Sequence, residues 1–130
     1  MMEHNRSASQ SGVSFLVLYA QNIAETLAFY TSLGLEFKRE KHGEGPVHHC
    51  CQLDALALEI YPAEDGEICA STMIGITVAD LDKLPLPQMS VEAAIAPFGE
   101  GRRVIIRDPD GRRVFVIDEN QPQNRDTKVN

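Results

Sequence analysis

The chain has 130 residues, 43% of them hydrophobic, with 12 Lys and Arg against 19 Asp and Glu and a net charge of −7. That length supports one hydrophobic core, and the negative balance argues against nucleic acid or an anionic membrane as a partner, since both would be repelled. No apolar run approaches the roughly 20 residues of a membrane helix, and the N-terminal Met-Met-Glu-His-Asn-Arg-Ser stretch lacks a hydrophobic signal segment. The expected compartment is therefore the cytoplasm, where the three cysteines, Cys50, Cys51 and Cys69, read as reduced thiols.

Residues 1–12 and 121–130 are polar and aperiodic, so both are expected to be disordered tails around a single folded domain at 13–120. Phe15 to Asn22 reads as a strand-like run that ends in a helix-capping Asn. Asn22 then caps a helix from Ile23 to Leu33, with Glu25 at the capping-box position, Ile23, Leu27 and Tyr30 as the inward stripe, and Gly34 as the stop. Leu35 to Glu40, Val47 to Leu53 and Ala55 to Tyr61 read as three strands, the last two turning near Asp54, with a flexible His42-Gly43-Glu44-Gly45-Pro46 connection before them.

Pro62 to Thr72 is the expected linker between modules at about 13–62 and 73–119. Met73 to Val78 reads as a strand ending in the capping residue Asp80, 58 residues after the corresponding Asn22. Pro85 and Pro87 confine any second helix to one or two turns. Val91 to Ala96, Arg103 to Arg107 and Arg113 to Asp118 supply the remaining strands, the last two joined by Asp108-Pro109-Asp110-Gly111. Arg102, Arg103, Arg107, Arg112 and Arg113 fall within twelve residues and read as solvated strand and turn positions in preference to an anion site.

The helix phrase from Asn22 to Tyr30, the Leu33-Gly34-Leu35 stop and the Arg107-Asp108-Pro109-Asp110-Gly111 turn resemble the vicinal oxygen chelate superfamily, which includes glyoxalase I, extradiol dioxygenases and bleomycin resistance proteins. The resemblance implies an α+β fold of two tandem βαβββ modules, forming a curved mixed eight-stranded sheet around a cleft. It also implies four metal-ligand positions, at the opening of the first strand and on the last strand of each module. In this chain those positions are Phe15, Glu59, Met73 and Phe115. Three of the four offer no donor atom to a divalent metal, so no metal cofactor is expected.

Glu59 reads either as a carboxylate facing the cleft, suited to a general base or a cation anchor, or as a charge at a strand end. His48, His49, Cys50 and Cys51 suggest a metal site, but alternate strand residues face opposite ways. With a turn at Leu53 to Leu56, Cys50 falls opposite Glu59 and His48 opposite Tyr61, and two donors such as Glu59 and His48 seldom hold a metal. Phe15, Tyr19, Met73, Phe98 and Phe115 read either as an apolar ligand wall or as core packing.

The reading that follows is a glyoxalase/bleomycin resistance-type protein with a degenerate metal site. It would bind or sequester a small, partly apolar molecule through Phe15, Tyr19, His48, Cys50, Glu59, Met73 and Phe115. One alternative is a lyase, isomerase or dioxygenase that uses Glu59 with a rebuilt metal or acid/base site. Another is a dimeric interaction protein without a small ligand. A homodimer is expected, because one truncated helix leaves part of the second sheet uncovered.

Overall fold

The structure, a computed structural model, describes residues 11–121. The expected tails therefore lie, apart from residues 11, 12 and 121, outside the described residues. Eight strands run in chain order: β1 (Phe15–Ala20), β2 (Lys38–Glu40), β3 (His48–Gln52), β4 (Ala57–Pro62), β5 (Met73–Thr77), β6 (Ser90–Phe98), β7 (Gly101–Arg107) and β8 (Arg113–Asp118). One α-helix, α1 (Ile23–Ser32), follows β1, and two single 3-10 turns (Leu81–Lys83 and Leu86–Gln88) stand where the second module would place its helix. Pro85 and Pro87 account for that shortening, since neither can donate a helical hydrogen bond.

The strands form two four-stranded sheets, β1-β4-β3-β2 and β5-β8-β7-β6, each with one parallel pair and two antiparallel pairs. Among the described residues no strand pairing joins the two sheets. The eight expected strands are thus all present, as a pair of equivalent mixed sheets rather than one continuous sheet. The pairs Val17↔Glu59 and Gly75↔Phe115 give Glu59 and Phe115 the same place in their modules. β2 is shorter than expected because only Lys38 to Glu40 finds a partner, on β3. β6 is longer than expected and carries two irregularities; as an edge strand it tolerates Pro97.

Local signals in α1 act as expected. Asn22 Oδ1 accepts from the Glu25 N–H at 3.0 Å. At the other end, Gly34 takes φ of +99°, its N–H donates to Thr31 O and the Leu35 N–H donates to Tyr30 O. That paired closure is the Schellman arrangement, in which the left-handed residue is most cheaply a glycine. Tyr30 and Thr26 are fully buried, whereas Ile23 and Leu27 of the expected stripe are only partly covered.

Leu18, Ala20, Tyr30, Leu33, Leu58 and Ile60 of the first module and Leu81, Val104, Ile106, Val114 and Val116 of the second form one continuous core. Each such aliphatic side chain contributes about 1.5–3 kcal/mol by leaving water. At the seam lies a buried polar group. Tyr30 Oη donates to Asp108 Oδ2 at 2.6 Å, Arg112 Nη1 donates to the same oxygen at 3.0 Å, and Arg112 Nη2 donates to the Tyr19 carbonyl. Asp108 Oδ1 accepts the backbone N–H groups of Asp110 and Arg112. Burial, then the neighbouring Asp108, raises the Tyr30 pKa, so its hydroxyl stays a donor.

This overturns the solvated reading of the arginine cluster for two of its members. Arg112 and Arg102 are each only 2% exposed. Arg102 reaches Asp118, Asp80 and Asp82, while Asp118 also accepts from Leu81 N at 2.8 Å and Asn120 N at 3.1 Å. Burial works against ionisation of Asp118, but the hydrogen bonds from Arg102, Leu81 and Asn120 outweigh it and hold the carboxyl below its usual range. Gly101 is dictated by proximity, since a Cβ there would sit 2.1 Å from the Asp118 carbonyl oxygen. Arg107 and Arg113 share the Glu92 carboxylate at the surface.

Because Arg112 is, among the described residues, the only cation on a buried carboxylate that also holds Tyr30, Arg112→Met should destabilise the fold by about 3–5 kcal/mol. Tyr30→Phe, which removes one hydrogen bond to a charged group, should cost about 1.5–3 kcal/mol. Urea unfolding checks both values, and losses under 1 kcal/mol would show that the seam does not depend on this group.

Candidate functional site

Strand alternation divides the residues of each sheet between the core and an outer face. On the first sheet Leu18, Ala20, Leu58 and Ile60 enter the core, so Val17, Tyr19, Glu59 and Tyr61 share the other face. The pair Cys50↔Glu59 places Cys50 there too, with His48 beside Tyr61. The expected β3–β4 register therefore holds, and His49 and Cys51 turn away from Glu59.

The surroundings of Glu59 are polar and aromatic. Its side chain is 17% exposed and its Oε1 lies 3.9 Å from Nε2 of His48. The His48 ring stacks on Tyr61, with centroids 4.2 Å apart and planes 4° from parallel. Tyr19 packs on the other side of Tyr61 at 6.1 Å. Burial first, then the charge of Glu59 and a hydrogen bond to it, raise the Tyr61 pKa. Cys50 is likewise raised, by burial and then by Glu40 and Glu59, which keeps it a thiol and unsuited to nucleophilic attack.

Glu40 and His42 complete this surface, and residue spacing alone does not reveal them. Glu40 pairs with His48 across β2 and β3, and its Oε1 lies 3.4 Å from His48 Nε2 and 3.3 Å from His42 Nε2. A concavity of about 590 Å³ beside β2 and β3 is lined by Leu35, Phe37, Lys38, Glu40, Cys50 and Leu53, among others. It shares only Cys50 with the expected ligand set.

The second sheet carries the apolar part of that set. Met73 and Phe115 lie on its outer face, flanking Gly75, where a Cβ would meet nothing within 4 Å. Phe98 meets Phe115 edge-on at 5.0 Å. Phe15 and Met73, which open the first strand of each module, are 59% and 56% exposed. Among the described residues no hydrogen bond, ion pair or ring contact joins Phe15, Met73 or Phe115 to the Glu59 group. Of Phe15, Glu59, Met73 and Phe115, only Glu59 carries a side-chain oxygen or nitrogen.

No protein-family model matches the chain, and no curated protein matches it in sequence. In three dimensions it is similar to TnmS3, an antibiotic binding protein from Streptomyces sp. CB03234, with 15% identity, a TM-score of 0.67, and 86% of this chain covering 98% of that one. It is also similar to lactoylglutathione lyase from Agrobacterium tumefaciens, at 19% identity and a TM-score of 0.57 over 84% of this chain and 94% of that one. A glyoxalase-related enzyme from Fulvimarina pelagi matches at 14% identity and a TM-score of 0.61 over 84% and 88%. With two equivalent four-stranded sheets and these structural relatives, the chain has the fold of the vicinal oxygen chelate superfamily.

Proposed function

We propose that the protein binds a small, partly apolar molecule without using a metal at the positions where its fold would place one. The observation that carries this reading is the substitution of Phe15, Met73 and Phe115 at three of those four places, with Glu59 kept as an anionic anchor beside two tyrosines. An exposed aromatic and thioether surface with a few fixed polar groups is how small-molecule sites are generally built. A carboxylate facing stacked aromatic rings favours a ligand with a cationic or hydrogen-bond-donating group. The likeness to an antibiotic binding protein supports binding or sequestration as the role.

A second reading, an enzyme of the lyase, isomerase or dioxygenase kind, draws on the approach of Glu59 to His48 at 3.9 Å, a spacing from which a small shift would make an acid/base pair. Stoichiometric binding without turnover favours the first reading over this one.

The test is a calorimetric screen of aromatic ammonium compounds against EDTA-treated protein. A compound that binds one per site should lose about 1.5–3 kcal/mol of affinity in Glu59→Gln, which keeps shape and removes charge. A requirement for added metal, or equal affinity in the variant, would contradict the reading.

The proposal includes a homodimer. Phe15, Leu16 and Val13 at the start of β1 and Met73 at the start of β5 are exposed, and both strands are sheet edges. Open apolar edges are usually covered, and pairing with a second copy covers both. Light scattering at micromolar concentration should give twice the 14.4 kDa chain mass; a monomer mass would mean that the site is completed within one chain.

A further inference from the structure

We propose that Glu40, His42 and His48 form a binding site for a divalent transition metal of the zinc class, separate from the four positions at which this fold would hold one. One oxygen or nitrogen from each of the three residues lies within 4.8 Å of the others. The measured separations are 3.3 Å from Glu40 Oε1 to His42 Nε2 and 3.4 Å to His48 Nε2. Ligands about 2.0–2.1 Å from a tetrahedral metal stand about 3.4 Å apart, so Glu40 already stands from each histidine at the spacing that a bound ion imposes. Two imidazoles with a carboxylate is a set that suits zinc and its first-row neighbours, and it leaves a fourth position open.

His48 is a second, independent pointer. The residue is 1% exposed, and its Nδ1 is 3.1 Å from the Pro46 carbonyl, to which it donates. A ligating histidine is ordinarily oriented through its other nitrogen in this way. The remaining nitrogen, Nε2, is buried and makes no hydrogen bond. It lies 3.4 Å from Glu40 Oε1 and 3.9 Å from Glu59 Oε1. A buried nitrogen close to two carboxylates and without a hydrogen bond calls for a positive charge among them. His42 supplies what a lone acceptor lacks: its side chain is 73% exposed, yet its ring lies 5.0 Å from that of His48 and its Nε2 faces the same Glu40 oxygen.

The three donors come from the end of β2, the connection after it and the start of β3, so one ion would fasten the Gly-rich segment 43–46 to the sheet. The competing occupant is a proton on His48, which would need Glu40 or Glu59 but not His42. Metal titrations of the full chain, stripped with EDTA, separate the two. Zn²⁺ should bind at one per chain with micromolar affinity or tighter, and Co²⁺ should give visible absorption of tetrahedral intensity. His42→Ala, at a surface position, and Glu40→Gln should each weaken Zn²⁺ binding at least about tenfold and abolish the Co²⁺ band, with circular dichroism unchanged. Absence of stoichiometric binding in the wild type, or equal affinity in both variants, would overturn the site. Loss in Glu40→Gln with none in His42→Ala would also overturn it.

Discussion

The assembly of the two modules depends on a buried carboxylate. Asp108, at the head of the β7–β8 turn, is 4% exposed and carries Tyr30 of α1 and Arg112 on one oxygen, with two backbone amides on the other. Arg112 in turn ends on the carbonyl of Tyr19 in β1, and Asp110 of the same turn accepts from the Gln21 N–H. A turn of the second module thus grips the strand end and helix of the first. Such a group is costly when half-satisfied and specific when complete. Here it fixes which helix residues enter the core and where β1 ends, and so the direction of the outer face that bears Glu59.

The second module answers with its own version. Asp118 takes Leu81 N, Asn120 N and the Arg102 guanidinium, holding the 3-10 turn that replaces a helix. Both aspartates belong to the second module, each satisfied by one arginine and by backbone amides; Asp108 ties that module to the first, and Asp118 holds the module's own 3-10 turn. The outer faces between these anchors have diverged. Equivalent positions hold Glu59 among His48, Tyr61 and Cys50 in one sheet and Phe115 beside Gly75 and Phe98 in the other. Matched scaffolds thus carry a polar aromatic surface in one sheet and an apolar one in the other.

Much of this was legible in the residues because each signal was local. Asn22 and Gly34 bound the helix, Pro85 and Pro87 exclude a second one, and the turn at Leu53 to Leu56 sets β3 against β4. What escaped was non-local. Arg102 and Arg112 look like surface charge until their aspartates are seen to be buried with them, and the Asp-Pro-Asp-Gly phrase announces a turn without revealing that its first residue reaches Tyr30, 78 residues earlier in the chain. The site was undercounted for the same reason. The β3–β4 register brings His48 to the face of Glu59, but Glu40 and His42 join only through the short β2–β3 pairing, which lies behind a Gly-rich connection that hides its register. The histidine and tyrosine beside Glu59 come from β3 and β4 and meet it only once those strands pair.

The central claim is that ligand binding is anchored at Glu59 on the outer face of the first sheet and needs no metal at the fold's four customary positions. Amide chemical-shift mapping of the EDTA-treated protein, titrated with an aromatic ammonium compound, tests it most directly. Perturbations concentrated at 15–20, 48–52 and 57–62, around Tyr19, His48 and Glu59, are the predicted result. Shifts confined to other segments, or shifts that arise only after a divalent ion is added, would contradict it.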